Sequence, residues 1–501
     1  MAVLRDLLTG LQVEVVRGSL DTEVRAVEFD SRRCVSASLF ACIYGYLQDG
    51  HDFIAQALSQ GATVILCQKN IWEKKPDLSA CAGEAVTIVL AENTRAALAR
   101  VSAAFYGNPS SRLRLLGLTG TKGKTTSAYM TREIFVEAGH STGLIGTNVN
   151  VVGNQVSTAR RTTPESLDLQ RLLANMVEKG DDTCIMEVSS QGLKLDRVTG
   201  CTFAGGAFLN LYNDHIGENE HADREEYFSW KLHLFDLCPQ VVVNGDCDER
   251  EAVLARAEEN GCEIITYGLR PENDVYATDL RTQKRDGFFG TSFLLHSPWY
   301  EGRVFVALPT EFNVCNALCA ICFAGLAGLP FEAVCRALER ISVPGRLQNI
   351  PHDGDFSVYV DYAHNEASLE LLLQSLREYT SARIITVFGC GGNRSKDRRY
   401  DMGRVSGSFS DFTIITSDNP RSEEPMDIIQ DILTGFIPTG GKYEIEANRR
   451  LAIARAIALA EPDDIVVIAG KGHEDYQEFK NETIHFSDVE TAEEILKGRN
   501  T

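Results

Sequence analysis

The segment Gly120-Thr-Lys-Gly-Lys-Thr-Thr126 carries the strongest chemical signal in this 501-residue chain. Its glycines let backbone N–H groups close around phosphate oxygens. The apolar run before it and the helical run after it place the loop at the positive end of a helix dipole. In that setting Lys124 reaches the outer phosphates of a nucleotide and Thr125 offers a hydroxyl to Mg²⁺. Gly120, Thr121, Lys122, Gly123 and Thr126 complete the cradle. One departure stands out: Leu118 occupies the first glycine position of the common phosphate-loop spacing.

Two further stretches could complete such a site. Glu187 ends the apolar run TCIMEV, at the carboxyl end of an expected parallel strand, where ligands gather in open α/β sheets. Asn213-Asp-His215 follows the next such run. A carboxylate, an imidazole and the Thr125 hydroxyl make a Mg²⁺ shell, although imidazole is an unusual partner for so hard a cation. Taken singly, Glu187 also reads as a helix cap and His215 as a satisfied loop histidine. Lys231 lies on the expected helix REEYFSWKLHLF; lysines there ordinarily snorkel to solvent, and spacing alone does not single it out.

The elements that must position these groups follow from length and patterning. A chain this long suggests about three domains. The net charge, 49 − 70 = −21, opposes binding to nucleic acid or anionic lipid. No apolar run is long enough for a membrane span, and Met1-Ala-Val-Leu-Arg-Asp lacks the basic start of a signal peptide, so a cytoplasmic protein is expected. Cys315, Cys319 and Cys322 recur at helical spacing in an apolar stretch, which predicts core packing rather than zinc. Residues 1–108 read as short strands (24–29) with helices at 53–60 and 94–105. The turn formers after Tyr106 mark a boundary. From residue 109, apolar runs at 183–189, 203–211 and 240–245 alternate with helices at 165–179, 224–237 and 248–260. That pattern implies a mostly parallel sheet covered on both faces. Ser342-Val-Pro-Gly-Arg346 marks a second boundary. Strands at 356–361, 383–389, 411–416 and 464–470 then form a Rossmann-like unit over residues 344–501.

GTKGKTT, TTPESLDL, EVSS, NDH, NVCNAL, PGR, VDYAH, DNPR and GKGHE, in this order, resemble the Mur ligases nearly end to end. Within that family they look most like the branch that adds the third amino acid of the peptidoglycan stem peptide to a UDP-linked muramoyl dipeptide. The resemblance implies three domains. A central ATPase-like parallel sheet (109–343) is flanked by an N-terminal UDP-binding α/β domain (1–108) and a C-terminal Rossmann-like amino-acid-binding domain (344–501). It departs from that branch at Gln191, where histidine is usual, and at Asn365-Glu-Ala-Ser, where Thr-Pro-Asp is usual.

The resemblance also implies roles, position by position. Ser31 contacts the uridine nucleotide; Thr162, Thr163, Ser189 and Arg197 hold the muramoyl peptide and its diphosphate. Thr125, Glu187 and His215 belong to the Mg²⁺ and phosphate site, and Lys231 is N-carboxylated, a carboxylate made from an amine. Asn316 contacts adenine, and Arg346 and Asp361 serve the ATP site. Arg394, Asp418, Asn419, Pro420, Arg421, Gly470 and Glu474 surround the incoming amino acid. Arg421 suits a far carboxylate, which meso-diaminopimelate has and lysine lacks. The implied reaction runs through an acyl phosphate, with ATP and Mg²⁺, small-molecule substrates and a monomeric enzyme. Lysine as acceptor and a folylpolyglutamate synthase-like ligase remain alternatives. A GTPase-like switch is disfavoured because no Asn-Lys-x-Asp follows the loop.

Overall fold

The computed structural model describes residues 2–45, 48–74, 85–212, 216–217, 220–285, 288–378 and 380–499. The chain forms two compact units. The first comprises Met1–Tyr276, Ser297–Trp299 and Leu318–Val334; the second comprises Ala277–His296, Tyr300–Ala317 and Cys335–Thr501.

The first unit contains two main sheets. The N-terminal sheet orders its strands Val13–Arg17, Thr87–Ala91, Ala62–Gln68, Ser38–Ala41 and Ala26–Glu28, all parallel except the first pair. The expected strand at 24–29 divides at Arg25: Glu23–Val24 pairs with Ala2–Val3, whereas Ala26–Glu28 pairs with Ser38–Ala41. The helix Thr94–Phe105 begins where Asn93 Oδ1 accepts from Arg95 N (2.9 Å) and Ala96 N (3.1 Å).

The larger sheet of this unit runs Thr142–Ile145, Thr183–Glu187, Arg114–Thr119, Gly205–Phe208, Gln240–Asn244 and Glu263–Gly268, all parallel. The antiparallel strands Val149–Val152 and Gln155–Thr158 extend one edge. These parallel strands are short continuous apolar runs, because helices cover both faces and neither side of the pleat meets water. Leu115, Leu118, Ile185, Val241 and Val243 are buried accordingly. The helix expected over 224–237 ends early: Arg224–Leu232 is α-helical and Phe235–Leu237 is a separate 3-10 turn.

In the second unit the sheet runs Gln348–Asn349, Ser357–Asp361, Ile465–Ala469, Ile384–Phe388, Phe412–Ile415 and Tyr443–Ile445, parallel except at its first strand. Asn365, one of the departures from the family pattern, caps the helix Glu366–Arg377 by accepting from Ser368 N at 3.0 Å. An antiparallel pair, Phe288–His296 with Glu301–Val306, was not anticipated from the sequence. In both units most of the candidate site residues lie in segments that follow the carboxyl ends of parallel strands.

All described cysteines are free, and Cys319 and Cys322 are fully buried in the helix Glu311–Leu326. Sheet register also gathers Cys42, His51 and Cys67, whose ligating atoms lie within 4.8 Å of one another. Both His51 nitrogens are already bonded, Nδ1 to Asp49 Oδ1 (2.6 Å) and Nε2 to the Gln68 N–H (3.0 Å). A hydrogen-bonded core histidine accounts for the cluster.

Candidate active site

The loop after Arg114–Thr119 turns into the helix Lys124–Glu137 through Gly123, whose φ of +84° suits glycine. Lys124 Nζ donates to the carbonyls of Gly120 (2.6 Å) and Thr121 (3.1 Å), curling over the loop. Asn210, just past the strand Gly205–Phe208, pins the loop from the side: its Oδ1 accepts from Lys122 N (2.9 Å) and its Nδ2 donates to Lys122 O (3.1 Å).

Glu187 lies beside this loop with 1% of its surface exposed. Thr125 Oγ1 is 3.0 Å from each of its carboxylate oxygens. Thr147 N donates to Oε1 and Thr147 Oγ1 to Oε2, both at 2.9 Å. No side-chain cation reaches this carboxylate among the described residues. A buried carboxylate with neutral donors and a hydroxyl at the phosphate loop fits a hard divalent ion. His215, the other expected ligand, lies outside the described residues, as do Asn213 and Asp214.

Lys231 is 1% exposed, which overturns the snorkelling reading. Its Nζ donates to Gly120 O at 3.0 Å and stands 4.3 Å above the Tyr227 ring centroid. Tyr227 in turn meets Thr121 Oγ1 through its hydroxyl (3.1 Å). The helix Arg224–Leu232 thus turns one face toward the phosphate loop. Gly120 O receives two lysine amines, those of Lys124 and Lys231.

Thr162, Thr163, Ser189 and Arg197 also gather here. Thr162 Oγ1 is 3.1 Å from Thr147 Oγ1, and Thr163 Oγ1 is 3.1 Å from Ser189 Oγ. Ser189 caps the helix Ser190–Lys194, and Arg197 pairs with Glu165 at 2.8 Å while donating to Thr163 O at 3.2 Å. Ser31 sits apart from them, buried in the N-terminal sheet's surroundings and donating to Gln56 Oε1 at 2.7 Å.

In the second unit, Asn316 Nδ2 donates to Asn313 Oδ1 at 3.1 Å. Asp361 ends its strand by accepting from Leu347 N (2.7 Å) and Ala363 N (2.8 Å). Desolvation raises the Asp361 pKa, and the charge of Arg346 partly opposes that shift. The Arg346 guanidinium lies 4.9 Å from the Tyr362 ring centroid, and His473 packs on the same ring at 5.0 Å. Burial, then the Arg346 charge, lowers the His473 pKa to about 4.

The segments after Phe412–Ile415 and Ile465–Ala469 build a connected polar cluster. Asp418 Oδ1 accepts from Asn419 N at 2.6 Å, and Pro420 is buried. Asn419 donates to Glu474 Oε2 (3.0 Å) and accepts from Lys471 Nζ (3.0 Å); Lys471, fully buried, also reaches Glu474 Oε2 at 3.1 Å. Gly470 follows the end of its strand with φ +115°. Arg421 takes φ +53°, donating from Nε to Glu478 Oε2 (3.0 Å) and from Nη1 to Gly392 O (2.7 Å). Arg394 is exposed; a Cβ on Gly391 would lie 3.9 Å from its Cγ and 3.2 Å from Arg421 Nη1. Beneath this cluster the fully buried Arg449 pairs with Asp488 at 2.7 Å and donates to Ser417 O (3.3 Å) and Ala469 O (2.9 Å), bracing the roots of both loops.

Sequence reasoning passed over Thr147, Tyr227, Asn210, Lys471, Glu478 and Arg449. Lys471 carried a usable signal, since it sits inside GKGHE. The others are joined to the site by contacts across 20 to 106 positions of the chain, which no local pattern announces.

Comparison with known proteins gives concordant matches. Family models for the Mur ligase family catalytic domain, the Mur ligase middle domain and the Mur ligase glutamate ligase domain match residues 23–106, 118–324 and 345–472. The chain is 42% identical over 497 residues to UDP-N-acetylmuramoyl-L-alanyl-D-glutamate–2,6-diaminopimelate ligase 1 of Clostridium acetobutylicum, covering 99% of each chain. A solved structure of a ligase with that same activity in its name superposes with a TM-score of 0.73 at 27% identity, covering 100% of this chain and 99% of the other. The folylpolyglutamate synthase of Mycobacterium tuberculosis, solved with ADP and AMPPCP, shares the fold at a TM-score of 0.58 and 18% identity. It covers 75% of this chain and 92% of its own. Among the described residues no helix is long and apolar enough to cross a membrane.

Proposed function

The chain belongs to the Mur ligase family, and from that premise we propose how its residues divide the work. It is an ATP-dependent ligase of peptidoglycan synthesis that joins 2,6-diaminopimelate to UDP-N-acetylmuramoyl-L-alanyl-D-glutamate. The observation that carries the site assignment is the buried Glu187 carboxylate joined to Thr125 at the phosphate loop.

The terminal carboxylate of the muramoyl dipeptide attacks the γ-phosphate of ATP, giving an acyl phosphate and ADP. The diaminopimelate amine attacks the acyl carbon, phosphate leaves, and the amine gives up a proton to yield the amide. Lys124 supplies positive charge beside the transferring phosphoryl group, where charge stabilisation is the main demand. Glu187, Thr125, His215 and N-carboxylated Lys231 would hold Mg²⁺, which offsets phosphate charge when bound. Lys231 suits that modification: its amine shares Gly120 O with the Lys124 amine, so two ammonium groups there repel. Adding CO₂ to the neutral amine, with loss of a proton, replaces one of them by an anion.

The remaining assignments follow the family pattern. Ser31 contacts uridine; Thr162, Thr163, Ser189 and Arg197 hold the muramoyl peptide; Asn316, Arg346 and Asp361 serve the ATP. Arg394, Asp418, Asn419, Pro420, Arg421, Gly470 and Glu474 receive the amino acid. The domains run 1–108, 109–343 and 344–501, and the enzyme acts as a cytoplasmic monomer. Release of ADP tests the reading: it should require the muramoyl dipeptide and rise with diaminopimelate. Release driven by a folate instead would overturn it.

A further inference from the structure

Arg197 is held through one carboxylate. Its side chain is 8% exposed, Nη2 pairs with Glu165 Oε1 at 2.8 Å, and Nη1 donates to Thr163 O at 3.2 Å. Its Nε has no hydrogen-bond partner among the described residues. The neighbouring carboxylate, Asp196, is spent elsewhere: its Oδ2 accepts from Asn93 Nδ2 (2.8 Å) and its Oδ1 from Thr199 Oγ1 (2.9 Å). Glu165 is therefore the carboxylate that compensates this buried guanidinium, and removing one partner of such a pair leaves the other charge uncompensated. Burial pulls the Arg197 pKa down; the Glu165 charge opposes that shift, and the charges of Arg161 and Arg95 add to it.

Glu165 immediately precedes the helix Ser166–Lys179, yet its side chain caps none of that helix's N–H groups. Both oxygens turn to arginines instead. Oε2 accepts from Arg95 Nη1 at 3.2 Å, and Oε1 also faces the Nε of half-exposed Arg161 at 3.6 Å. Arg95 belongs to the helix Thr94–Phe105, whose Ala97, Leu98 and Val101 share the core of the N-terminal sheet with Leu167, two positions after Glu165. The start of the same helix supplies Asn93 to Asp196. One carboxylate thus joins that helix to Thr163 and Arg197. Three guanidinium groups share it, which leaves positive charge for an anion.

We infer that Glu165 is a positioning residue: it fixes the Arg197 guanidinium for an anionic group of the muramoyl dipeptide and braces it, through Arg95, against the N-terminal sheet. The inference rests on the assignment of Arg197 to the muramoyl peptide above. Charge alone gives the opposite sign. Deleting a carboxylate from among three arginines raises the local positive potential and should tighten the hold on an anion. Losing the brace frees the Arg197 side chain, whose ordering must then be supplied on binding, and should weaken that hold.

The test measures KM for UDP-N-acetylmuramoyl-L-Ala-D-Glu, at saturating ATP and diaminopimelate, in Glu165→Ala, Arg197→Ala and the double variant. Glu165→Ala should raise that KM about tenfold, while kcat and the KM values for ATP and diaminopimelate stay within about twofold. On the Arg197→Ala background the same change should move KM by less than about twofold, because no guanidinium is left to position. Glu165→Gln keeps an oxygen for Arg197 Nη2 and should give a smaller rise; it carries the same comparison if the alanine variant proves unfolded in a melt. A KM that falls or stays put, an equal tenfold rise without Arg197, or a parallel rise for all three substrates would each overturn the inference. Arg197→Ala with an unchanged KM for the dipeptide would instead overturn the assignment of Arg197, a failure read before Glu165 is altered.

Discussion

Glu187→Gln separates a metal ligand from a structural carboxylate. In the wild type, Thr125 Oγ1 lies 3.0 Å from both carboxylate oxygens, while Thr147 donates to one through N–H and to the other through its hydroxyl. Glutamine keeps an oxygen for the Thr147 N–H, and the two hydroxyls can turn to accept from its amide nitrogen. Exchanging charged for neutral acceptors loses about 1 kcal/mol per bond. Against this, the variant no longer buries an ionised group, which returns a similar sum at a site 1% exposed. Net stability should therefore fall by no more than about 2 kcal/mol, a few degrees of melting temperature. Cation affinity has no such compensation. Losing even an outer-shell partner of a metal site costs roughly 10- to 100-fold, so losing a carboxylate ligand should raise the half-saturating Mg²⁺ concentration at least ~100-fold. Kinetics of ADP release against Mg²⁺, beside a melt without nucleotide, read both quantities. A melt lowered by more than about 10 °C with an unchanged Mg²⁺ midpoint would refute the reasoning and leave Glu187 a structural group.

Lys231→Ala should lose at least ~100-fold in kcat, the usual scale for removing charge stabilisation at a transferring group, and acetate should restore part of it. In wild type supplied with ¹³C-bicarbonate, a carbamate carbonyl signal absent from the variant checks the modification. Arg421→Ala should cost ~100-fold or more in kcat/KM for diaminopimelate, because a charged two-pronged contact is lost. Arg449→Met leaves Asp488 buried and unpaired, so stability should drop by about 3–5 kcal/mol, and adding Asp488→Asn should recover much of it in denaturant melts. For His473, the folded pKa of about 4 lies below its ordinary 6.5, so the unfolded chain binds more protons between those values. Its contribution to stability is thus complete above pH 6.5 and declines as pH falls toward 4; His473→Gln should flatten that part of the melting profile.

Much of this architecture was legible because local and global signals agree. Continuous apolar runs marked the parallel strands, and the helix expected over 94–105 is the helix Thr94–Phe105. The phosphate loop was readable since its chemistry lies within seven consecutive residues. Lys231 was not: its helix pattern is that of a surface element, and its burial comes from Tyr227 and the carbonyl of Gly120, 111 positions away. Thr147 follows the short strand Thr142–Ile145 and meets Glu187 only because that strand lies beside Thr183–Glu187. The pair Phe288–His296 and Glu301–Val306 escaped notice because neither strand alternates cleanly between apolar and polar residues. Glu478 is likewise an ordinary surface charge until the chain brings it to Arg421 across 57 positions.

The central claim is ATP-driven ligation of diaminopimelate. Its most direct test incubates the enzyme with ATP, Mg²⁺, UDP-N-acetylmuramoyl-L-Ala-D-Glu and an equimolar mixture of amino acids that includes meso-diaminopimelate and L-lysine, with the product read by mass. The account predicts one nucleotide product, heavier than the dipeptide substrate by diaminopimelate less water, formed in step with ADP. A product carrying lysine would contradict the acceptor assignment, and ADP release with no new amide would contradict the ligase itself.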